Sequence, residues 1–204
     1  MNDFDSALRQ AVGSLPAHAP PTTGRRLTER AVADGLLDVA YASVDSPLGP
    51  LVVATTPRGL IRVAYTEPGS QEEVLEDLAA RVSPRVLEAP ALLDEPRREL
   101  DEYFAGNRTD FDLPIDWSIL RGFTLKVLRE TARIDFGELR SYADVASAAG
   151  SPRAVRAAGN ALGANPMPVV VPCHRVVRTS GALGGYTGGL KRKEFLLRLE
   201  GALL

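Results

Sequence analysis

The stretch Asn165-Pro166-Met167-Pro168-Val169-Val170-Val171-Pro172-Cys173-His174-Arg175-Val176 decides how this chain is read. Val169–Val171, bounded by prolines, predicts a short buried strand. The chain's only cysteine follows it. A lone Cys after such a run is either packing or chemistry. His174 can influence the thiol, and Arg175 and Arg178 add positive charge that favours thiolate. Side chains diverge along an extended segment, so His174 is expected to act on Cys173 through a water or after a local turn.

Upstream, Ser141 predicts a cap on a helix over Tyr142–Ala149, and Gly150 ends it. Ser151 is expected to cap a second helix, with Pro152 in its first turn, running from Arg153 to Leu162. Two short helices joined at Gly150-Ser151 make a helix-turn-helix pattern. The second is nearly bare: Ala154, Ala157, Ala158, Gly159 and Ala161 leave Arg153, Arg156 and Asn160 as its prominent side chains. Such a helix can press its backbone onto a surface or pack tightly on another helix, and both readings stand. Downstream, Gly181-Ala182-Leu183-Gly184-Gly185-Tyr186-Thr187-Gly188-Gly189 lacks the ending of a phosphate loop, which disfavours nucleotide binding. A loop closing over a pocket beside Cys173 is expected. Lys191–Leu199 predicts a helix that ends at Glu200-Gly201, and Phe123–Ala132 another.

The N-terminal half is different. Asp38–Tyr65 predicts a small antiparallel meander, with turns at Ser46-Pro47-Leu48-Gly49-Pro50 and Pro57-Arg58-Gly59. Helices are expected over Ser70–Arg81 and Leu92–Ala105, then an extended run from Asp110 to Trp117. Three regions result: an extension with a Pro-rich linker over 1–38, an α/β domain over 39–117, and a helical domain over 118–204. His18 falls in the linker, where a solvated loop residue is the simpler reading, and Trp117 reads as boundary packing.

Composition bounds the function. With 204 residues, 45% of them hydrophobic and 25% charged, the chain is an ordinary globular protein. No apolar run approaches the roughly 20 residues that cross a bilayer, and the acidic start lacks a secretory signal, so a cytoplasmic protein without a membrane partner is expected. A single Cys allows neither an internal disulfide nor a multi-thiolate zinc site. The net charge of −2 conceals an asymmetry: residues 1–117 carry 11 basic and 20 acidic side chains (−9), and residues 118–204 carry 13 and 6 (+7). The basic half suggests a polyanionic partner.

From Phe123 to Gly201 the chain resembles the O6-alkylguanine-DNA alkyltransferases, or methylated-DNA–protein-cysteine methyltransferases. Pro172-Cys173-His174-Arg175-Val176, Gly185-Tyr186-Thr187-Gly188-Gly189 and Leu196-Leu197-Arg198-Leu199-Glu200-Gly201 carry the likeness. Ser46-Pro47-Leu48-Gly49 and Leu100-Asp101-Glu102-Tyr103-Phe104-Ala105-Gly106 extend it into residues 39–117, while residues 1–38 match nothing. The resemblance implies an α+β fold: a small antiparallel sheet with helices, then a helical domain with a winged-helix-like helix-turn-helix. It implies DNA repair by irreversible, stoichiometric transfer of an alkyl group from guanine O6, with O4-alkylthymine as a second adduct, to Cys173. No cofactor or metal is implied.

The same resemblance supplies roles. His174 would deprotonate Cys173 through a water, Glu200 would hold His174 in its useful tautomer, and Tyr142 would protonate the leaving guanine. Asn165 would hold the turn before the Cys. The partner would be double-stranded DNA carrying O6-alkylguanine, bound by a monomer through the minor groove with little sequence preference. The damaged nucleotide would be flipped out, with Arg156 filling the gap and Ala154, Ala157, Gly159, Ser141 and Ser151 against the DNA. Leu162, Pro168, Val176, Tyr186 and Thr187 would line the base pocket, Pro168 beside its mouth with room for an apolar group. A damage-binding module, a helix-turn-helix regulator and a cysteine protease are the rivals. The first would lack the Cys, the second would need more base-reading side chains, and the third a distant histidine other than His18.

Overall fold

The computed structural model describes residues 30–32, 34–67 and 70–203. The chain divides into units 1–37 and 38–204. The Pro-rich stretch of the linker and His18 lie outside the described residues, and everything below concerns the second unit.

The meander forms as β1 (Val39–Val44), β2 (Leu51–Thr56) and β3 (Gly59–Tyr65), antiparallel in succession. A short β4 (Val86–Glu88) adds parallel to β1, giving the order β3-β2-β1-β4. Alternation sorts the side chains. Val52 and Ala54 of β2 join Val39 and Ile61 beneath Val74 and Leu78 of α1 (Gln71–Arg81), so one face is covered by that helix. Burial of each of the Val, Ile and Leu side chains contributes about 1.5–3 kcal/mol. Leu51 and Val53 are equally buried from the other face. There a 3₁₀ turn, Pro90–Leu93, packs on β1 and β2 and leads into α2 (Asp94–Phe104). The single helix expected from Leu92 therefore starts as a tighter turn, set by Pro90.

The free edge of β3 is closed by later chain. Leu60 N donates to Pro114 O at 2.8 Å and Asp116 N to Leu60 O at 2.8 Å, so the extended run after α2 lies along it. Val63 N donates to Pro166 O at 2.9 Å, which joins the sheet edge to the segment before Cys173.

The rest is helical: α3 (Gly122–Thr131), α4 (Tyr142–Ala148), α5 (Val155–Gly163) and α6 (Leu190–Leu199). Ser141 builds a complete capping box on α4: its hydroxyl accepts from Asp144 N, and the Asp144 carboxylate accepts from Ser141 N. Gly150 closes that helix as expected, its N–H donating to Ser147 O at 2.9 Å. The second helix differs from expectation. Ser151-Pro152-Arg153 form a turn, the helix begins at Val155, and Ala154 is its uncapped N-cap. A two-residue parallel pair, β5 (Arg140–Ser141) with β6 (Val176–Val177), ties the start of α4 to the segment after Cys173. The fold is α+β, a small sheet with helices followed by a helical domain. Among the described residues no helix is long and apolar enough to cross a membrane.

Candidate active site

The Val169–Val171 run is not a strand. Asn165 folds it into a compact turn: its Nδ2 donates to Val171 O at 2.8 Å, its Oδ1 accepts from Met167 N at 3.0 Å, and Val171 N donates to Met167 O at 2.8 Å. Val169 is forced to a φ of 74°, a left-handed conformation that a β-branched residue adopts at a cost of about 1–3 kcal/mol. Three backbone and side-chain bonds within seven residues outweigh the strand preference of valine. Cys173–Arg175 then makes one 3₁₀ turn, with Arg175 N donating to Pro172 O at 2.9 Å. That is the local turn which lets neighbouring residues share one site.

Asn165 Nδ2 also donates to Cys173 Sγ at 3.1 Å. The thiol is buried. Burial pushes it up to about 11, while the Asn165 hydrogen bond and the Lys193 charge oppose the rise. The thiol is therefore neutral at rest, and its proton must leave as part of the reaction.

His174 is fully buried with Nε2 2.8 Å from Glu200 Oε1. Its Nδ1 is buried with no hydrogen-bond partner among the described residues. Burial lowers the imidazole below its ordinary value, and the pull of Glu200 the other way does not overcome this. A neutral ring beside a carboxylate donates from Nε2, which leaves Nδ1 as a base. Burial would raise the Glu200 carboxyl, yet hydrogen bonds from His174 and Arg175, with the Arg175 charge, hold it down at about 2. Arg175 grips that carboxylate with Nε to Oε2 at 2.8 Å and Nη2 to Oε1 at 2.9 Å. Glu200 caps the C-terminus of α6, and Tyr103 of α2 donates to its Oε1 at 2.6 Å.

Cys173 lines a cleft of about 410 Å³, within the range of small-ligand sites. Leu162, Gly159 and Gly163 of α5 form one wall; Gly185, Tyr186 and Thr187 of the glycine-rich loop face them, with Tyr142 of α4 between. Tyr142 donates to Gly185 O at 3.2 Å, and burial raises its hydroxyl, so it stays a proton donor. Tyr186 exchanges a hydrogen bond with Tyr65 of β3 at 2.8 Å. Thr187 Oγ1 donates to Gly163 O at 2.8 Å, spanning the cleft from loop to helix. Pro168 and Val176 are buried.

The bare helix has one packed face and one exposed face. Ala158, Ala161 and Leu162 are buried, and Gly159 backs onto Tyr142, where a Cβ would lie 3.7 Å from Cε1. Arg153, Arg156, Ala157 and Asn160 are exposed. Ala154 and Ser151 are half-buried at the turn, and the Ser141 hydroxyl is engaged by Asp144. Trp117 takes Arg129 over its ring at 5.9 Å.

Sequence reading missed Tyr103, Tyr65, Arg175 as a carboxylate clamp, and Lys193. Lys193 is fully buried, and its Nζ donates to Val176 O at 2.6 Å and also to Leu183 O, pinning the loop. Burial lowers it to about 8. A buried lysine in an amphipathic helix is the kind of signal that could have drawn notice. Among the described residues no group of His, Cys, Asp and Glu is arranged to hold a metal ion.

Comparison with known proteins places this geometry. Residues 122–202 match the 6-O-methylguanine DNA methyltransferase, DNA binding domain, family, and residues 39–117 match its ribonuclease-like domain family. The constitutive methylated-DNA–protein-cysteine methyltransferase of Bacillus subtilis (strain 168) is 38% identical over 163 residues, covering 78% of this chain and 94% of that protein. The enzyme of that name from Mycobacterium tuberculosis (strain H37Rv) is 38% identical over 164 residues, covering 79% and 92%. A crystal structure of Mycobacterium tuberculosis OGT in complex with DNA superposes with a TM-score of 0.67 at 39% identity, covering 79% of this chain and 92% of that one. The two matched families together cover residues 39–117 and 122–202, the second including the turn that carries Cys173, and with relatives 38% identical over nearly their whole length the chain belongs to the methylated-DNA–protein-cysteine methyltransferase family.

Proposed function

We propose that this protein repairs O6-alkylguanine in duplex DNA by moving the alkyl group onto Cys173. It is a DNA-repair methyltransferase by family, and DNA is its partner. The observation that carries the residue-level reading is Cys173 Sγ in the wall of a base-sized cleft, one residue from a buried, neutral His174 bound to Glu200.

In this reading the Sγ proton passes through a water to His174 Nδ1 as Sγ attacks the alkyl carbon. The S–C bond forms, the C–O6 bond breaks, and the electron pair goes to the base, which takes a proton from Tyr142. Asn165 stabilises the sulfur as charge builds on it. The product is a thioether, so each molecule acts once. Duplex DNA hides guanine O6 in the stack, and the nucleotide must rotate out to reach Sγ. The exposed Arg156 side chain, beside the cleft on α5, fills the vacated space, and Ala157 lets the helix approach the minor groove. Thr187 has its hydroxyl proton committed to Gly163 O, so its role is to span the cleft. The protein acts as a monomer and needs no metal.

Duplex DNA carrying a labelled methyl group on guanine O6 tests the reading. One equivalent of label on the Cys173 peptide with no turnover is expected, and Cys173→Ala should lose transfer while keeping DNA binding. Label on another residue, or none despite tight binding, overturns it.

A further inference from the structure

Among the described residues, all but one of the hydrogen bonds to Glu200 come from the helical domain: His174 and Arg175 on the 3₁₀ turn, and Gly137 N at 3.4 Å. The exception is Tyr103, on α2 and 97 residues away. Its side chain is fully buried, with Phe104, Phe111 and Phe136 rings at centroid distances of 5.4, 5.3 and 6.2 Å. A phenol buried among aromatic rings needs a partner for its hydroxyl. This one donates to Oε1, the oxygen that also takes His174 Nε2 and Arg175 Nη2.

We propose that Tyr103 is a positioning residue for alkyl transfer: its hydroxyl fixes the orientation of Glu200 Oε1 and sets how strongly that oxygen holds the His174 Nε2 proton. The proposal rests on the reading of Cys173 as acceptor and His174 as its base. The argument is one of shared electron density. Three donors on one oxygen compete for it, and each weakens the hold of that oxygen on the others' protons. Without the Tyr103 bond, Oε1 stabilises an imidazolium more strongly, and His174 moves up toward protonation. A protonated His174 has no base left at Nδ1.

The surroundings make Tyr103 the adjustable member. Facing Glu200 are His174, Arg175 and Tyr103; facing His174 are Cys173, Arg175, Lys193 and the edge-on ring of Tyr186 at 6.4 Å. Arg175 is bidentate and further held by Ile134 O at 2.5 Å. Burial and the neighbouring carboxylate both raise the Tyr103 phenol, so it remains a donor. The sheet domain thus contributes a hydrogen bond to the centre of the helical domain's chemistry.

Tyr103→Phe keeps the ring and removes only the hydroxyl. The full chain is used, with single-turnover transfer from labelled-methyl duplex DNA followed against pH, and the imidazole nitrogens of its two histidines followed by NMR. Transfer should slow about tenfold near neutral pH, with its acid limb moved to higher pH, the His174 Nε2–H resonance shifted and DNA affinity unchanged. Phe111→Leu, which loosens the packing and keeps the hydroxyl, should lower Tm without moving the limb. A Tyr103→Phe protein with the parent's pH profile and His174 resonances overturns the proposal, whatever its Tm. Should Tyr103→Phe not fold, the parent decides: a slowly exchanging Tyr103 hydroxyl proton with an NOE to the His174 Nε2 proton is required, and its absence overturns the assignment. If the parent transfers no label at all, the alkyl-transfer reading fails, and the His174 resonances in Tyr103→Phe separately decide the hydrogen-bond assignment.

Discussion

At the scale of single residues, Asn165 has the most to lose. It satisfies Val171 O and Met167 N inside the turn and gives a hydrogen bond to the acceptor sulfur. Asn165→Ala leaves two buried backbone groups without partners, at about 1–3 kcal/mol each. Denaturant titration should show a loss on the order of 3 kcal/mol, and transfer should fall with it. Asn165→Asp separates the effects: it keeps the acceptor for Met167 N but places a carboxylate against the sulfur, so transfer should fall by more than stability does. Val169 sets the opposite balance. Val169→Gly relieves about 1–3 kcal/mol of backbone strain but gives up a fully buried side chain and adds chain entropy. Those losses total about 3–4 kcal/mol, so a net destabilisation near 1–2 kcal/mol is expected by the same titration.

At the scale of elements, the glycine-rich loop is shaped by aromatic rings. A Cβ on Gly188 would lie 2.5 Å from Tyr65 Cε2 and 2.8 Å from Tyr186 Cε1, and one on Gly184 would lie 2.7 Å from the Tyr142 hydroxyl. Real Cβ contacts are never so short, so an alanine must displace the ring it meets. Gly184→Ala should therefore slow transfer by moving Tyr142, with Cys173 still present in the cleft; an unchanged single-turnover rate would contradict the role of Tyr142. On the helix pair, Ser141→Ala removes the hydroxyl half of the capping box and should cost about 1 kcal/mol in thermal unfolding. Arg156 works differently, because it is exposed and touches no part of the chemistry. Arg156→Ala should slow repair in duplex DNA far more than reaction with a free benzylated guanine, and equal losses would refute its role in flipping.

At the scale of the whole molecule, the sheet and the helices meet around the site. Arg192 of α6 stacks on Tyr65 at 4.6 Å and donates to Leu48 O at 2.9 Å, so the Ser46–Pro50 turn is held by the helical domain. Acid should loosen this centre. His174 is lowered in the fold from 6.5 and stays neutral, so below about pH 6.5 the unfolded chain binds the extra proton and stability declines. Glu200 is lowered from 4.5 to about 2, and its contribution, complete above about pH 4.5, is lost as pH falls toward 2. Both act in the same direction. Denaturant unfolding between about pH 7 and pH 3 should show a steady loss, with most of the Glu200 part removed in Glu200→Gln.

Part of the site was legible from local signals, while the pairing of His174 with Glu200, 26 residues on, was implied only by the family resemblance. Cys173 and His174 are adjacent, Glu200 ends a helix with a clear apolar period, and the Ser141 cap lies three residues from its partner. The two faces of α5 follow from helical spacing once its residues are placed. Other features left no local trace. Val169–Val171 reads as a strand from its β-branched side chains, and only the Asn165 side chain, bonded across the turn, makes it coil. Tyr103 and Tyr65 stand 97 and 121 residues from their partners Glu200 and Tyr186, each among residues that fit a helix or strand pattern equally well with or without the contact. Local period and capping chemistry are written in sequence because they act over three or four residues. Which phenol completes a buried carboxylate is decided only when two separately built layers pack, because the cost of leaving either group unpaired arises in the folded interior.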